Sequence, residues 1–395
     1  MVSIWPGSAS ISKIQMRTVF VLVAFAVALV PVAEAQAKPA GTFTLLYSFT
    51  GTTGAYPLAG LVLDSKGSVY GTTSEGGAYG EGTVFKVSAS GTETVLHSFK
   101  GGFSDGQFPI ASLVRDAAGT LYGTTTRGGL YGYGTVFKVA ENGEENLLHN
   151  FGKAAGDGRY PSAGLVFGLD GDLYGTTQEG GASGFGTIFK LTTNGDESVI
   201  HTFAGNPSDG QYPVQGLVID AAGNFYGATE LGGTFNDGTV FKLDAEGNET
   251  VLLGLPGGRK GAYPYGGVIV DSAGNVYSTT AYGGNGIGLV FVLEPSGTET
   301  VLYTFSGPDG SFPSAGLIRD SKGHLYGTTE FGGADGAGVV FAVNNAGKEV
   351  VLHSFNATDG ADLFSSLVSD AAGNLYGTAT EGGADNKGTV FKLTP

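Results

Sequence analysis

The chain has 395 residues, a formal net charge of −16, and 71 glycines beside only 14 % charged residues. That excess of acid excludes nucleic acid and anionic lipid surfaces as expected partners. The absence of cysteine excludes disulfides, thiol nucleophiles, cysteine metal sites and a lipidated cysteine.

Residues 1–35 read as an export signal. Lys13 and Arg17 give positive charge, the run from Thr18 to Ala33 is almost entirely apolar, and Ala33-Glu34-Ala35 is a small-x-small cleavage pattern with the cut expected before Gln36. The run is about 16 residues, short for a span of about 20, so cleavage is expected rather than an uncleaved anchor. Met16 is an alternative start. Without residues 1–35 the formal charge becomes −17, from 18 basic and 35 acidic residues. The expected protein is secreted, extracellular or periplasmic, with no membrane span after cleavage. Residues 36–42 form a short linker and residues 43–395 a single domain.

The segment from Phe43 to Phe49 (F-T-L-L-Y-S-F) reads as a lone strand. After it, one unit repeats seven times, marked by Tyr70, Tyr122, Tyr174, Tyr226, Tyr277, Tyr326 and Tyr376 in blades one to seven. A period near 50 residues points to a propeller or an array. In the second copy, Ala111 to Asp116 is a first strand and Ala117-Ala118-Gly119 a tight turn. Leu121 to Thr125 is a second strand, Thr126 to Gly134 a glycine-rich loop, and Thr135 to Val139 a third strand. Asn142-Gly143 is a hairpin turn pair, and Glu145 to Phe151 is a fourth strand. The prediction is an all-β chain, a seven-bladed β-propeller of four-stranded antiparallel blades. The last copy stops after three strands, so residues 43–49 should complete it as the outermost strand and close the ring.

The core follows from the same alignment. Third-strand Phe85, Phe137, Phe189, Phe241, Phe291, Phe341 and Phe391 should pack with fourth-strand Phe49, Phe99, Phe151, Phe203, Leu255, Phe305 and Phe355. Each buried large side chain contributes about 1.5–3 kcal/mol, so their recurrence is a packing signal.

The loops between strands two and three and between blades are long and share one face, where binding is expected. Glu75, Glu179, Glu230, Glu330 and Glu381 lie just ahead of a Gly-Gly pair, with Arg127 and Tyr282 breaking the series. These seven are the candidate ligand-face residues, and the acids would give a ring of negative charge. The same loops carry Tyr79, Tyr131, Tyr133, Phe185, Phe235 and Phe331, which could stack on sugar rings or fill gaps between loops. Asp105, Asp157, Asp209, Asp309 and Asp359 precede glycine in the inter-blade loops. They read as turn devices; calcium, which takes six to eight oxygens, is only weakly supported by one carboxylate per blade.

His97, His149, His201 and His353 share one position on the outermost strands. Histidines of neighbouring blades should splay apart, so no zinc site is expected from them. No nucleophile elbow, H-E-x-x-H or phosphate loop is present. Arg127, Arg159, Arg259, Lys260 and Asp362 depart from the repeat without forming an acid–base set. No catalytic, cofactor or metal residue is assigned.

The pattern G-L-V-x-D-x-x-G-N-L-Y-G-T-T-x-x-G-G-x-x-x-x-G-T-V-F-K-L resembles the bacterial GloVer tandem repeat of the choice-of-anchor proteins, in seven copies. That resemblance implies an exported protein of unknown activity, in a family often carrying C-terminal surface anchors. The chain ends at Pro395 without one, which favours a free exported form. Gly216 to Tyr226 is also similar to NHL-type propeller repeats, and more loosely to gluconolactonase and streptogramin-lyase propellers, whose metal ligands find no matching positions. The expectation is a monomeric binding or scaffolding module for a glycan or protein at the cell surface. The alternatives are a hydrolase or lyase at the central channel mouth, and an envelope-structural protein.

Overall fold

A computed structural model describes residues 41–205 and 207–395. The segment expected to be an export signal and nearly all of the expected linker lie outside them. The described residues form a closed seven-bladed propeller of antiparallel blades. Among them no helix is long and apolar enough to cross a membrane. The last blade is completed as expected: Thr42–Ser48 pairs antiparallel with Thr389–Thr394, Thr42 opposite Thr394 and Ser48 opposite Thr389. It is the outermost strand of that blade.

Each letter of the Y-G-T-T motif has a mechanical role. The tyrosine hydroxyl donates to the aspartate ahead of the tight turn, as from Tyr226 to Asp220 at 3.1 Å. In blade three the aspartate is displaced to Asp170, yet its carboxylate still meets Tyr174 at 2.8 Å. The glycine leaves room for the core ring: a Cβ on Gly227 would stand 2.5 Å from Cζ of Phe241. The first threonine latches onto the next blade, Thr72 to the Ala111 carbonyl at 3.2 Å and Thr124 to that of Ala163 at 3.1 Å. The same latch joins the two ends of the chain, Thr378 to the Ala59 carbonyl at 3.1 Å. The second threonine clasps the third strand, Thr125 with Thr135 at 2.8 Å.

These latches account for one difference from the sequence reading. Of the predicted first strand Ala111–Asp116, only Val114–Arg115 joins the ladder. The Ala111 carbonyl accepts from the neighbouring blade's threonine instead. The Asn142-Gly143 turn also differs. Ala140 and Glu144 close a three-residue loop with Gly143 in the left-handed region at φ 86°, a tight type I turn with a glycine bulge.

The core lies between blades. Fourth-strand Phe99 meets third-strand Phe137 of the next blade edge to face, with centroids 5.0 Å apart, and all seven third-strand phenylalanines are fully buried. The predicted pairs hold around the ring, with fully buried Leu255 packing against Phe291. Every third–fourth strand pair carries a register shift, as between Val136 and Phe137. The extra residue is a leucine or isoleucine whose carbonyl receives the next blade's turn: a Cβ on Gly143 would lie 2.6 Å from the Leu96 oxygen. Such a bulge re-aims the side chain that follows it, here the histidine position.

Candidate functional site

The long-loop face is built on a strained backbone position. The residue ahead of the inter-blade proline, or ahead of Leu363 in the last copy, adopts φ 55–58° in all seven blades: Tyr56, Phe108, Tyr160, Tyr212, Tyr263, Phe312 and Asp362. A left-handed backbone costs a bulky residue on the order of 1–3 kcal/mol. Two backbone hydrogen bonds hold each of Tyr56, Phe108, Tyr160, Tyr263 and Phe312. In blade two the Phe108 amide donates to the Glu81 carbonyl and the Phe108 carbonyl accepts from Thr126. Six aromatic rings and one carboxylate are thereby set around the axis.

The candidate acids do not form one ring. Glu75, Arg127, Glu179, Tyr282 and Glu381 occupy the position directly before Gly-Gly, whereas Glu230 and Glu330 stand one residue earlier. Successive strand residues point to opposite faces, so the two sets look in different directions. Glu75, Glu179 and Glu381 share their surroundings with cations. Lys387 bonds the Tyr56 hydroxyl at 3.0 Å and feels both Glu75 and Glu381. Arg159 pairs in a short ladder with Glu179 and stacks 4.4 Å over Tyr133. Arg127 pairs likewise with Gln107.

Glu230 and Glu330 belong to an aromatic arc across blades four to six. The Tyr265 hydroxyl donates to Glu230 at 3.0 Å. Tyr265 lies parallel to Tyr263 at 6.1 Å; edge-to-face contacts then run from Tyr263 to Tyr282 at 5.6 Å, to Phe312 at 5.4 Å and to Phe331 at 6.0 Å. Burial, and then the charge of Asp362, push the Glu330 carboxyl up to about 8. Burial, reinforced by Glu230, raises the Tyr265 hydroxyl well above its ordinary value. Exposed Tyr79, Phe103, Tyr131 and Phe235 extend the apolar character of this face.

The axis itself is nearly shut. Gly60 and Gly316 amides bond Ser112 and Ser366 hydroxyls at 3.0 Å, and a Cβ on Gly216 would lie 2.8 Å from the Gly164 oxygen. The remaining cavity is about 50 Å³, its wall made of residues such as Leu58, Ile110, Ser162, Gln215 and Phe364, with no ionisable side chain in the lining. A cleft of about 330 Å³ between blades five and six, on the short-turn side, holds Asp271, Tyr277, Glu294 and Arg319.

A third assembly lies between the blades at the rim. Histidines of different blades do not converge, but each of three meets an aspartate and a glutamate: His97, Asp105 and Glu145; His149, Asp157 and Glu197; His201, Asp209 and Glu249. Within each group the ligand atoms lie within 4.8 Å of one another. The aspartates do act as turn devices. Asp105 accepts from the Lys100 and Gly106 amides at 2.8 and 2.7 Å. Burial alone would raise Asp105, but His97 and these amides outweigh it and hold the carboxyl below its usual range. Sequence reasoning missed these groups. The available signal was spacing: in blades one to three the histidine precedes its aspartate by eight residues, and where Leu253 replaces histidine, Lys260 replaces aspartate.

Buried carboxyls make a pH prediction. Burial raises Glu93 and Glu349 to about 7 and Glu330 to about 8. A raised folded-state value means the folded chain holds protons that the unfolded chain releases. This stabilisation is full below about pH 4.5 and is lost as pH climbs through about 7 to 8. The melting temperature should therefore fall between about pH 5 and pH 8. The triple variant Glu93→Gln, Glu330→Gln, Glu349→Gln should show a shallower fall by calorimetry; an identical slope would count against the assignment.

Fold and repeat geometry define a seven-bladed propeller with one elaborated loop face. The chain belongs to the Gloeobacter/Verrucomicrobia repeat family, whose model matches residues 36–241 and 213–395. No curated protein matches it in sequence. Among solved structures it is similar to the extracellular domain of a hybrid two-component system from B. thetaiotaomicron, at 10 % identity and TM-score 0.57, over 89 % of this chain and 39 % of that one. It is also similar to a Bacteroides uniformis protein assigned as a 6-phosphogluconolactonase, at 16 % identity and TM-score 0.52, over 79 % and 88 %. A Xanthomonas campestris gluconolactonase matches at 14 % identity and TM-score 0.47, over 79 % and 89 %. At these identities the likeness is one of fold.

Proposed function

We propose that this is an exported binding module whose long-loop face takes a polyhydroxylated ligand, a glycan, on blades four to six. The observation that carries the reading is the arc Tyr265, Tyr263, Tyr282, Phe312, with Glu230 and Glu330 at its side. Aromatic faces and edges cover the apolar side of a sugar ring, and carboxyl groups exchange hydrogen bonds with its hydroxyls, as acceptors when ionised and as donors too when protonated. The half-buried rings are held by backbone, so little entropy is lost on binding. Extracellular propeller domains among the structural neighbours are compatible with this setting. A hydrolase or lyase centred on the axis would need ionisable groups there, and the cavity lining supplies none.

The test is a thermal-shift screen of the purified protein against bacterial and plant polysaccharides, followed by calorimetric titration of any hit. Binding should raise the melting temperature in proportion to occupancy. Tyr282→Ala should weaken affinity by about tenfold or more, the loss of one stacked ring. Leu169→Ser, on the short-turn face, should leave it unchanged. Affinity indifferent to Tyr282→Ala, or no shift across the panel, would remove the glycan reading.

A further inference from the structure

The geometry points to three divalent transition-metal sites between blades, at His97/Asp105/Glu145, His149/Asp157/Glu197 and His201/Asp209/Glu249. Each site joins a fourth-strand histidine, the inter-blade aspartate that follows it, and the first residue of the next blade's fourth strand. The bulge ahead of the histidine aims the imidazole at the junction.

Several donor atoms there have no hydrogen-bond partner. Nε2 of His97, His149 and His201 and Oε1 of Glu145, Glu197 and Glu249 are buried and unpartnered. So is Oδ1 of Asp157, whose side chain is 7 % exposed and lies 3.9 Å from His149 Nε2. Unpaired buried polar atoms are rare in folded proteins and call for an explanation such as an unseen ion. The His–Asp separations are 3.4 Å and 3.5 Å at the other two sites, close to the roughly 3.4 Å between donors on a tetrahedral ion with bonds of about 2.1 Å. One imidazole and two carboxylates suit zinc and its first-row neighbours, with water completing the shell. Calcium prefers an all-oxygen shell of six to eight donors.

At the other four junctions at least one member of the trio is replaced; Oε1 of Glu93, Glu299 and Glu349 is buried and unpartnered there too, so the unpartnered histidine Nε2 is what sets the three trios apart. Between blades four and five, Leu253 replaces histidine and Lys260 stands at the aspartate position. Its ammonium lies 3.5 Å from Glu299, whose side chain is 4 % exposed, so a lysine supplies positive charge against the glutamate. Between blades six and seven the glutamate position is Phe43, which stacks on His353 with centroids 3.9 Å apart, while His353 bonds Asp359 at 3.1 Å. Between blades five and six, Tyr303 donates its hydroxyl to Asp309. Between blades seven and one, Tyr47 bonds Thr53 at 2.9 Å and lies beside Glu93, with no aspartate present. A complete ligand trio thus occurs only where no lysine, phenylalanine or tyrosine replaces a member.

The full purified protein should be stripped with chelator, dialysed against zinc, and assayed for bound metal by mass spectrometry, with cobalt absorption as a second readout. About three ions per chain are expected, with visible bands of a four- or five-coordinate cobalt centre. The triple variant His97→Leu, His149→Leu, His201→Leu copies the residue already present at position 253, and should lose all three. The set Glu145→Gln, Glu197→Gln, Glu249→Gln keeps shape and provides a second test if the first folds poorly; it too should lose the cobalt bands. Magnesium and calcium should not displace zinc. No bound zinc in the parent, or zinc and cobalt spectra unchanged in folded variants, would overturn the assignment and leave the trios as a polar seam between blades.

Discussion

Deleting residues 43–49 should unfold the whole ring rather than trim an end. The deletion removes Phe49, which is fully buried and meets Phe85 at 5.0 Å in blade one, and Phe43, which packs on Phe355 and Phe391 in blades six and seven. It also strips the ladder partners from Thr389 to Leu393 and exposes that strand as an edge. Two large side chains at about 1.5–3 kcal/mol each, with a lost ladder and an opened ring, place the cost on the order of 5 kcal/mol or more. That is comparable to the total stability of an ordinary domain. Circular dichroism of the two forms should show a cooperative melt for one and little folded population for the other. A truncated chain that melts at the parent temperature would mean that the ring closes without this strand.

What the sequence made legible was whatever each repeat states for itself. The period, the turn glycines and the two aromatic positions specify blades and their mutual packing, and the missing strand at the end specifies closure. Less legible was whatever one blade imposes on the next. The fourth-strand bulge has no composition signal of its own, since Thr94-Val95-Leu96-His97 reads as an unbroken strand. It is the docking of the next blade's turn glycine on the Leu96 carbonyl that accompanies the extra residue. That bulge turns His97 toward Asp105, so a position read as solitary is in fact part of a trio. The loop acids failed for a different reason. Grouping residues as being just ahead of Gly-Gly merges two adjacent strand positions, and adjacent positions face opposite ways. Glu330 and Glu381 are therefore not equivalents, although both precede the same glycine pair.

Repetition also tells constraint from variation inside one molecule. The threonine latches and core phenylalanines recur in nearly every blade because each interface needs them. The aromatic arc does not: Glu381 stands in blade seven where Tyr282 stands in blade five, and the counterparts of Tyr265 in the four preceding loops are Leu58, Ile110, Ser162 and Val214. Binding residues on a symmetric scaffold should be sought among such departures, because a ligand is itself asymmetric.

Gly186→Ala should be among the most damaging single substitutions, and Gly184→Ala, two residues away, among the mildest at a left-handed glycine. Gly186 has φ 102° and Gly184 φ 81°. Both leave the regions that L-residues favour, a strain of about 1–2 kcal/mol for alanine. Space separates them. A Cβ at Gly184 meets nothing within 4 Å, whereas one at Gly186 would stand 2.4 Å from the Thr177 carbonyl oxygen and 2.7 Å from Cδ of Pro213 in the next blade. Backbone and a ring locked in the neighbouring blade cannot swing aside as a flexible side chain would. The Gly186 carbonyl also accepts the Phe203 amide at 3.1 Å, so displacing it disturbs the start of the inter-blade loop. The cost at Gly186 should reach about 3 kcal/mol or more, against about 1 at Gly184. The same glycine recurs at 82, 134, 238, 288, 338 and 388, with φ between 95° and 105°. Urea denaturation of the two variants measures the difference directly. Equal losses would show that backbone strain alone governs these loops, and that blade-to-blade contact at the proline contributes nothing.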